Sequence, residues 1–298
     1  MLIPPGLGWL LLLLLLIVSA SRESETKAQG TALKLKTEVV TVNVSVTTKD
    51  GQPVTGLERR HFEVYENGVR QSVEYFSDED TPLSIGIIFD LSASMRGKME
   101  RALEALKMLI QASHRDDDYF IAGFNDQVKL LAEFSDGDAL LDRVGNPQPE
   151  GNTALYDAVI LGLEKVRQGR HRKRALVIIS DGRDNASRYD LGELRQRLKE
   201  AGIQLYAVCV FCWFSGDMAL WDMARVTGGA VFPAGSFTEL EEGISRIALE
   251  LRRQYSLGYT PSDARHDGRW RKIKVRVQPD QISTRLVVRA REGYFAAP

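Results

Sequence analysis

The 298-residue chain has only two cysteines and four histidines, and the histidines lie far apart at His61, His114, His171 and His266. A zinc site of thiolates and imidazoles needs about four such ligands gathered closely, so that chemistry has no support. Neither sign of charge prevails: 39 Lys and Arg stand against 40 Asp and Glu, a formal net charge of -1. The densest basic run, Arg167 to Arg174, has no interleaved aromatics and falls between a predicted helix and a predicted strand. It reads as a solvated turn, and nothing argues for nucleic acid. No internal repeat is visible. The hydrophobic share of 44% is enough for a full core, so an ordinary globular chain of one or two domains is expected.

The chain opens with an apolar stretch, Trp9 to Val18, followed by the small-residue pattern Val18-Ser19-Ala20. This reads as a secretory signal peptide (residues 1–20) cleaved after Ala20, which implies a secreted or periplasmic protein. The stretch is shorter than the roughly 20 residues a membrane span needs. No Lys or Arg precedes it, so an uncleaved N-terminal anchor is the alternative, and membrane association is expected only in that case. No cysteine follows the cleavage point closely enough to carry a lipid.

Cys209 and Cys212 form a Cys-x-x-Cys pair at the end of a predicted strand, Gln204 to Val210. A thiol-disulfide redox centre places such a pair at a helix N-terminus, where the thiolate is stabilised. Here Val210, Phe211, Trp213 and Phe214 favour extended, buried structure, so a structural disulfide or two buried thiols is the reading, with redox catalysis as the alternative.

Residues 21–32 are polar and aperiodic and read as a flexible leader. Residues 33–80 are strand-like: Val40, Val42, Val44 and Val46 alternate, and Asn67-Gly68 between two alternating runs marks a hairpin. Over residues 82–252 strands and helices alternate, with apolar spacing such as Met99, Leu103, Leu106 and Ile110 marking helices. That alternation predicts an α/β fold, a doubly wound and mostly parallel sheet. Residues 255–298 return to strands. The two strand-rich ends are expected to pair as a small β-sandwich-like domain with the α/β domain inserted between them; two separate β-appendages are the alternative.

One motif carries functional chemistry. Asp90, Ser92 and Ser94 follow the apolar run Leu83 to Phe89 in the order Asp-x-Ser-x-Ser. Thr153 in the loop Gly151-Asn152-Thr153, and Asp181 after the apolar run Ala175 to Ile179, supply two more oxygen donors. Five hard ligands from three loops suit Mg²⁺ or Mn²⁺. Capping of the following helix by Ser92 and Ser94, and a simple turn at Asp181-Gly182, are the plainer readings of each loop alone. Asp184 and Asn185 would either shape the third loop or cap the helix after Tyr189.

The order and spacing of these elements resemble the metal-ion-dependent adhesion site of the von Willebrand factor type A domain, over about Pro82 to Leu251, in the manner of bacterial exported members. The resemblance implies a Rossmann-like fold and a metal held by Asp90, Ser92, Ser94, Thr153 and Asp181. It also implies a protein ligand that presents Asp or Glu to that metal, and a possible affinity switch through movement of the last helix, Thr238 to Arg252. Catalysis has little support. A phosphatase of the haloacid dehalogenase type needs a second Asp where Ser92 stands, and no histidine lies in any of the three loops to serve as a base. A metal-dependent adhesion or assembly module is therefore expected, with a scaffold acting through its β-domain as the alternative. Asn43-Val-Ser45 and Asn185-Ala-Ser187 match the glycosylation pattern, which arises often by chance.

Overall fold

The computed structural model describes residues 39–145, 147–211, 218–279 and 285–298. The proposed signal peptide, the leader and Cys212 lie outside the described residues. Four strands come first: β1 (Val40–Thr47), β2 (Phe62–Glu66), β3 (Val69–Gln71) and β4 (Tyr75–Ser77). The α/β portion then runs β5 (Leu83–Asp90), α1 (Met99–Gln111), β6 (Asp118–Phe124), β7 (Val128–Ser135), α2 (Gly137–Val144), α3 (Leu155–Val166), β8 (Lys173–Ser180), α4 (Leu191–Ala201), β9 (Gln204–Val210), α5 (Ala219–Thr227), β10 (Val231–Ala234) and α6 (Phe237–Arg252). Strands β11 (Gln254–Tyr259), β12 (Trp270–Val277), β13 (Val287–Arg289) and β14 (Gly293–Phe295) complete the chain.

The central sheet has the order β10-β9-β8-β5-β6-β7, parallel throughout except for β7. β5 is buried along its whole length, because helices cover both faces of the sheet. Leu83, Ile85, Ile87 and Phe89 face one layer, where Leu106 and Leu109 of α1 and Ile244 and Ile247 of α6 pack. Ile88 points to the other layer, against Leu155, Val159 and Leu163 of α3 and Leu220 of α5. Each such side chain contributes about 1.5–3 kcal/mol when fully buried, so a strand with apolar side chains on both faces reads as a centre strand rather than an edge. α4 shows how its ends are written locally. Asp190 and Glu193 form a reciprocal capping box, and Gly202 closes the helix at φ +64°.

The first four strands and the last four pair with each other. One sheet runs β13-β1-β11-β4 and the other β14-β12-β2-β3. Between them Val42, Val44, Phe62, Val64, Tyr255 and Leu257 form a separate apolar core. The α/β domain is thus inserted into a two-sheet β-domain. β1 serves both parts by alternation: its valines enter the β core, while Ser45 on the opposite face meets the Tyr206 hydroxyl of β9 at 3.3 Å. Gln254 Nε2 donates to the same hydroxyl at 3.1 Å. The Asn67-Gly68 turn has positive φ at both residues, 48° and 88°, the backbone a two-residue hairpin requires.

Two expectations are adjusted. α2 is absent from the sequence reading; it is one short helix capped by Asp136, which accepts from Ala139 N, and it buries only Leu140 and Val144, too little for a periodic signal. β6, which the sequence reads as a strand from Phe120 to Phe124, begins at Asp118, because Asp118 is buried with a partner, accepting from Ser84 Oγ at 2.6 Å.

A polar cluster closes the end of the sheet away from the Asp-x-Ser-x-Ser loop. Arg252 lies 3.3 Å from Asp117 and 3.2 Å from Asp80, and Asp117 accepts from Leu83 N at 2.7 Å. Beside it Lys173 donates to Leu251 O at 3.0 Å. Burial, with the Arg252 charge added, pushes the Lys173 ammonium down to about 8. The folded value lies below the unfolded one, so above about pH 8 the unfolded chain binds more protons than the folded one and Lys173 makes stability rise with pH. Chemical denaturation at pH 8 and pH 10 should show Lys173→Met gaining more over the wild type at the lower pH; an equal difference at both would refute the assignment.

Candidate metal centre

β5 ends at Asp90, which is fully buried. Its Oδ1 accepts from Ser92 N at 2.8 Å, and its Oδ2 accepts from Ser180 Oγ at 2.6 Å. Ser92 and Ser94 Oγ are 2.9 Å apart, so the first loop turns both hydroxyls together. Neither caps the following helix: α1 starts after Lys98, with no side-chain cap.

The second loop is laced to the first by backbone. Ala93 N donates to Gly151 O at 3.0 Å and Glu150 N to Leu91 O at 2.9 Å. Gly151 has φ +75°, and a Cβ there would lie 1.9 Å from Asp126 Oδ2, so the loop needs glycine. Thr153, buried at its end, receives the third loop: its N–H donates to Asn185 Oδ1 at 2.8 Å and its carbonyl accepts from Asn185 N and Ala186 N. In the third loop Asp181 is followed by Gly182 at φ +85°, whose N–H donates to Ser180 Oγ at 3.0 Å. Asp184 accepts from Tyr156 N and Ser187 Oγ donates to Asp184, while Asp157 N donates to Ser187 Oγ. Asp184 therefore caps α3 from another loop; the helix after Tyr189 takes its cap from Asp190.

Burial is the largest influence on Asp90 and pushes its carboxyl up. Bonds from Ser180 and Ser92 pull it down, and the nearby Asp181 charge pushes it up again. Asp181 is 9% exposed, and its Oδ1 is buried with no hydrogen-bond partner. A buried carboxylate oxygen without a donor is costly. Among the described residues no three His, Cys, Asp or Glu side chains gather as a metal site; what the structure brings together is the Asp90 carboxylate with the nearby Asp181 charge and the paired Ser92 and Ser94 hydroxyls, while Thr153 lies at the end of the second loop and is tied to the third through its backbone. Such an all-oxygen set, with one oxygen lacking a partner, fits a hard divalent cation.

These loops stand at a particular place in the topology. In chain order within the domain the strands run 3-2-1-4-5-6 across the central sheet, with β6 and β7 as the second and third. Direction reverses between β5 and β8, the strands that end in Asp90 and Ser180. Ligands of open α/β sheets bind in the crevice at such a switch point.

The family model of the von Willebrand factor type A domain matches residues 84–246, more than half of the chain. The chain belongs to this family. Among solved structures, a von Willebrand factor type A protein from Catenulispora acidiphila is similar at 12% identity and a TM-score of 0.52, over 84% of this chain and 71% of that one. BatB from Bacteroides thetaiotaomicron is similar at 14% identity and 0.47, over 57% and 98%. Proximal thread matrix protein 1 from the mussel byssus, solved with a zinc-occupied MIDAS motif, is similar at 17% identity and 0.48, over 62% and 49%. No curated protein matches in sequence.

The matched von Willebrand factor type A segment contains all three loops. The sequence reading missed Ser180, which holds Asp90, because a serine closing an apolar strand looks like a strand end. It also missed Lys98, whose Nζ lies 3.7 Å from Asp181 Oδ2. Cys209 is buried in β9 and disulfide-bonded, with its sulfur 3.7 Å from Asp181 O.

Ser180→Ala takes a hydrogen bond from a buried carboxylate and should cost about 1–3 kcal/mol in urea denaturation of the metal-free protein. Unchanged stability would show that Asp90 does not depend on that hydroxyl.

Proposed function

We propose that this von Willebrand factor type A protein is an exported, non-catalytic module that binds a partner protein through a divalent cation. Asp90, Ser92, Ser94, Thr153 and Asp181 would hold the ion, Mg²⁺ or Mn²⁺. The observation that carries the reading is the partnerless, buried Oδ1 of Asp181 beside a second buried carboxylate. Hydroxyls add oxygen without charge, so two carboxylates only just balance a divalent ion. When bound, the ion supplies an electrophilic position that accepts one further carboxylate oxygen, from an Asp or Glu of the partner.

The chain's own residues support binding rather than turnover. Ser92 and Ser94 have no histidine in the surrounding loops to take their protons. Asp90 has both oxygens engaged by Ser92 N and Ser180 Oγ, which fixes it in place. The buried, disulfide-bonded Cys209 favours a structural over a redox role. Export rests on the leader-like first 20 residues; no helix among the described residues is long and apolar enough to cross a membrane.

Calorimetric titration of Mg²⁺ and Mn²⁺ into the full chain should give saturable one-to-one binding, abolished in Asp90→Ala and weakened at least about tenfold in Asp181→Ala, which removes a charged ligand. Absence of binding in the wild type would reject the metal centre. Metal binding that raises the melting temperature while partner capture survives Asp181→Ala would make the metal structural and move the contact to the β-domain.

A further inference from the structure

The third loop already has a cation beside it. Lys98, the residue before α1, extends its ammonium to 3.7 Å from Asp181 Oδ2. Its side chain is 23% exposed, so screening by water is partial. The ammonium also sits 5.7 Å above the ring of Phe211. Phe211 holds an uncommon backbone, φ +56°, and packs edge-on against Phe237 of α6 at 5.4 Å. Carboxylate on one side and aromatic face on the other define a seat for this charge. The two oxygens of Asp181 are thus unlike: Oδ2 faces Lys98, while Oδ1 is buried without a donor.

We infer that Lys98 is a tethered counter-ion that partly neutralises the metal-free site, opposes entry of a divalent ion, and leaves the loaded site with a surplus positive charge suited to a single carboxylate. This inference rests on the metal-binding reading above. The charges make the argument. Asp90 and Asp181 give two negative charges, and Lys98 offsets one of them in the metal-free protein. With a divalent ion added, the four groups sum to one positive charge, which one Asp or Glu of a partner cancels. Without Lys98 the loaded site would be neutral and its pull on an acidic ligand weaker. A fixed charge so close to a ligand carboxylate acts strongly because the surroundings are largely dry. Lys98 therefore sets two affinities in opposite senses: it lowers that for the metal and raises that for the anion.

The test compares the full-chain wild type, Lys98→Gln and Lys107→Gln, the last removing an equal charge from an exposed position on α1. Mg²⁺ alone is titrated by calorimetry, and melting is followed in EDTA and in excess Mg²⁺. Lys98→Gln is expected to bind Mg²⁺ about tenfold more tightly, to melt lower than wild type in EDTA, and to gain more from Mg²⁺; Lys107→Gln should behave as wild type. Equal Mg²⁺ affinity in Lys98→Gln and wild type, or an equal gain in both Gln variants, would overturn the counter-ion role while leaving the metal centre standing. No binding to any of the three would remove the metal reading and this inference together.

Discussion

A carboxylate at the end of a wholly buried strand is the constraint around which the upper face of this domain is arranged. Asp90 cannot be hydrated, and burial alone would favour its neutral form. The structure answers with Ser92 N and Ser180 Oγ, one from its own loop and one from the neighbouring strand. Those two bonds fix the start of the first loop and the start of the third. The second is then sewn to both by Ala93 N to Gly151 O and by Thr153 to Asn185. Three loops that differ in length and sequence thereby act as one rigid rim, and donors on that rim lose little freedom when they are used.

The sheet explains why the rim sits where it does. Between β5 and β8 the crossovers leave in opposite directions, α1 from β5 to one face and α4 from β8 to the other, so a crevice opens above these two strands. The parallel register places Phe89 opposite Ile179, which brings Asp90 next to Ser180. Moving β8 by one residue would offer Ile179 in place of Ser180 and an apolar side chain to a buried carboxylate. Packing of the two helical layers, which holds the register, is thus a condition for the polar chemistry above it.

Much of this is legible in the chain itself. Leu83 to Phe89 reads as a strand, and the switch from strands alone to alternating strands and helices at Pro82 marks where one architecture gives way to the other. The positions that sequence reading missed are those whose meaning is tertiary. Ser180 matters only because β8 lies beside β5, and Lys98 only because its long side chain reaches a loop more than 80 positions away; Asp184 is named in the sequence reading, but the helix it caps is not the next one. Local patterns record what a segment does to itself; they carry no trace of a partner brought up by the fold. α2 escaped for another reason, since two buried side chains make no period.

The junction between α6 and β11 has a mechanical meaning. Only Arg253 separates the helix from a strand that is held at six positions by β1, and Arg252 is clamped to Asp80 and Asp117. A helix that slid by one turn, about 5.4 Å, would have to drag β11 through more than one residue of its ladder, and an odd step would turn its apolar face outward. A slide of α6 is therefore coupled to the β1–β11 ladder, whose pairs would have to be sheared for the helix to move.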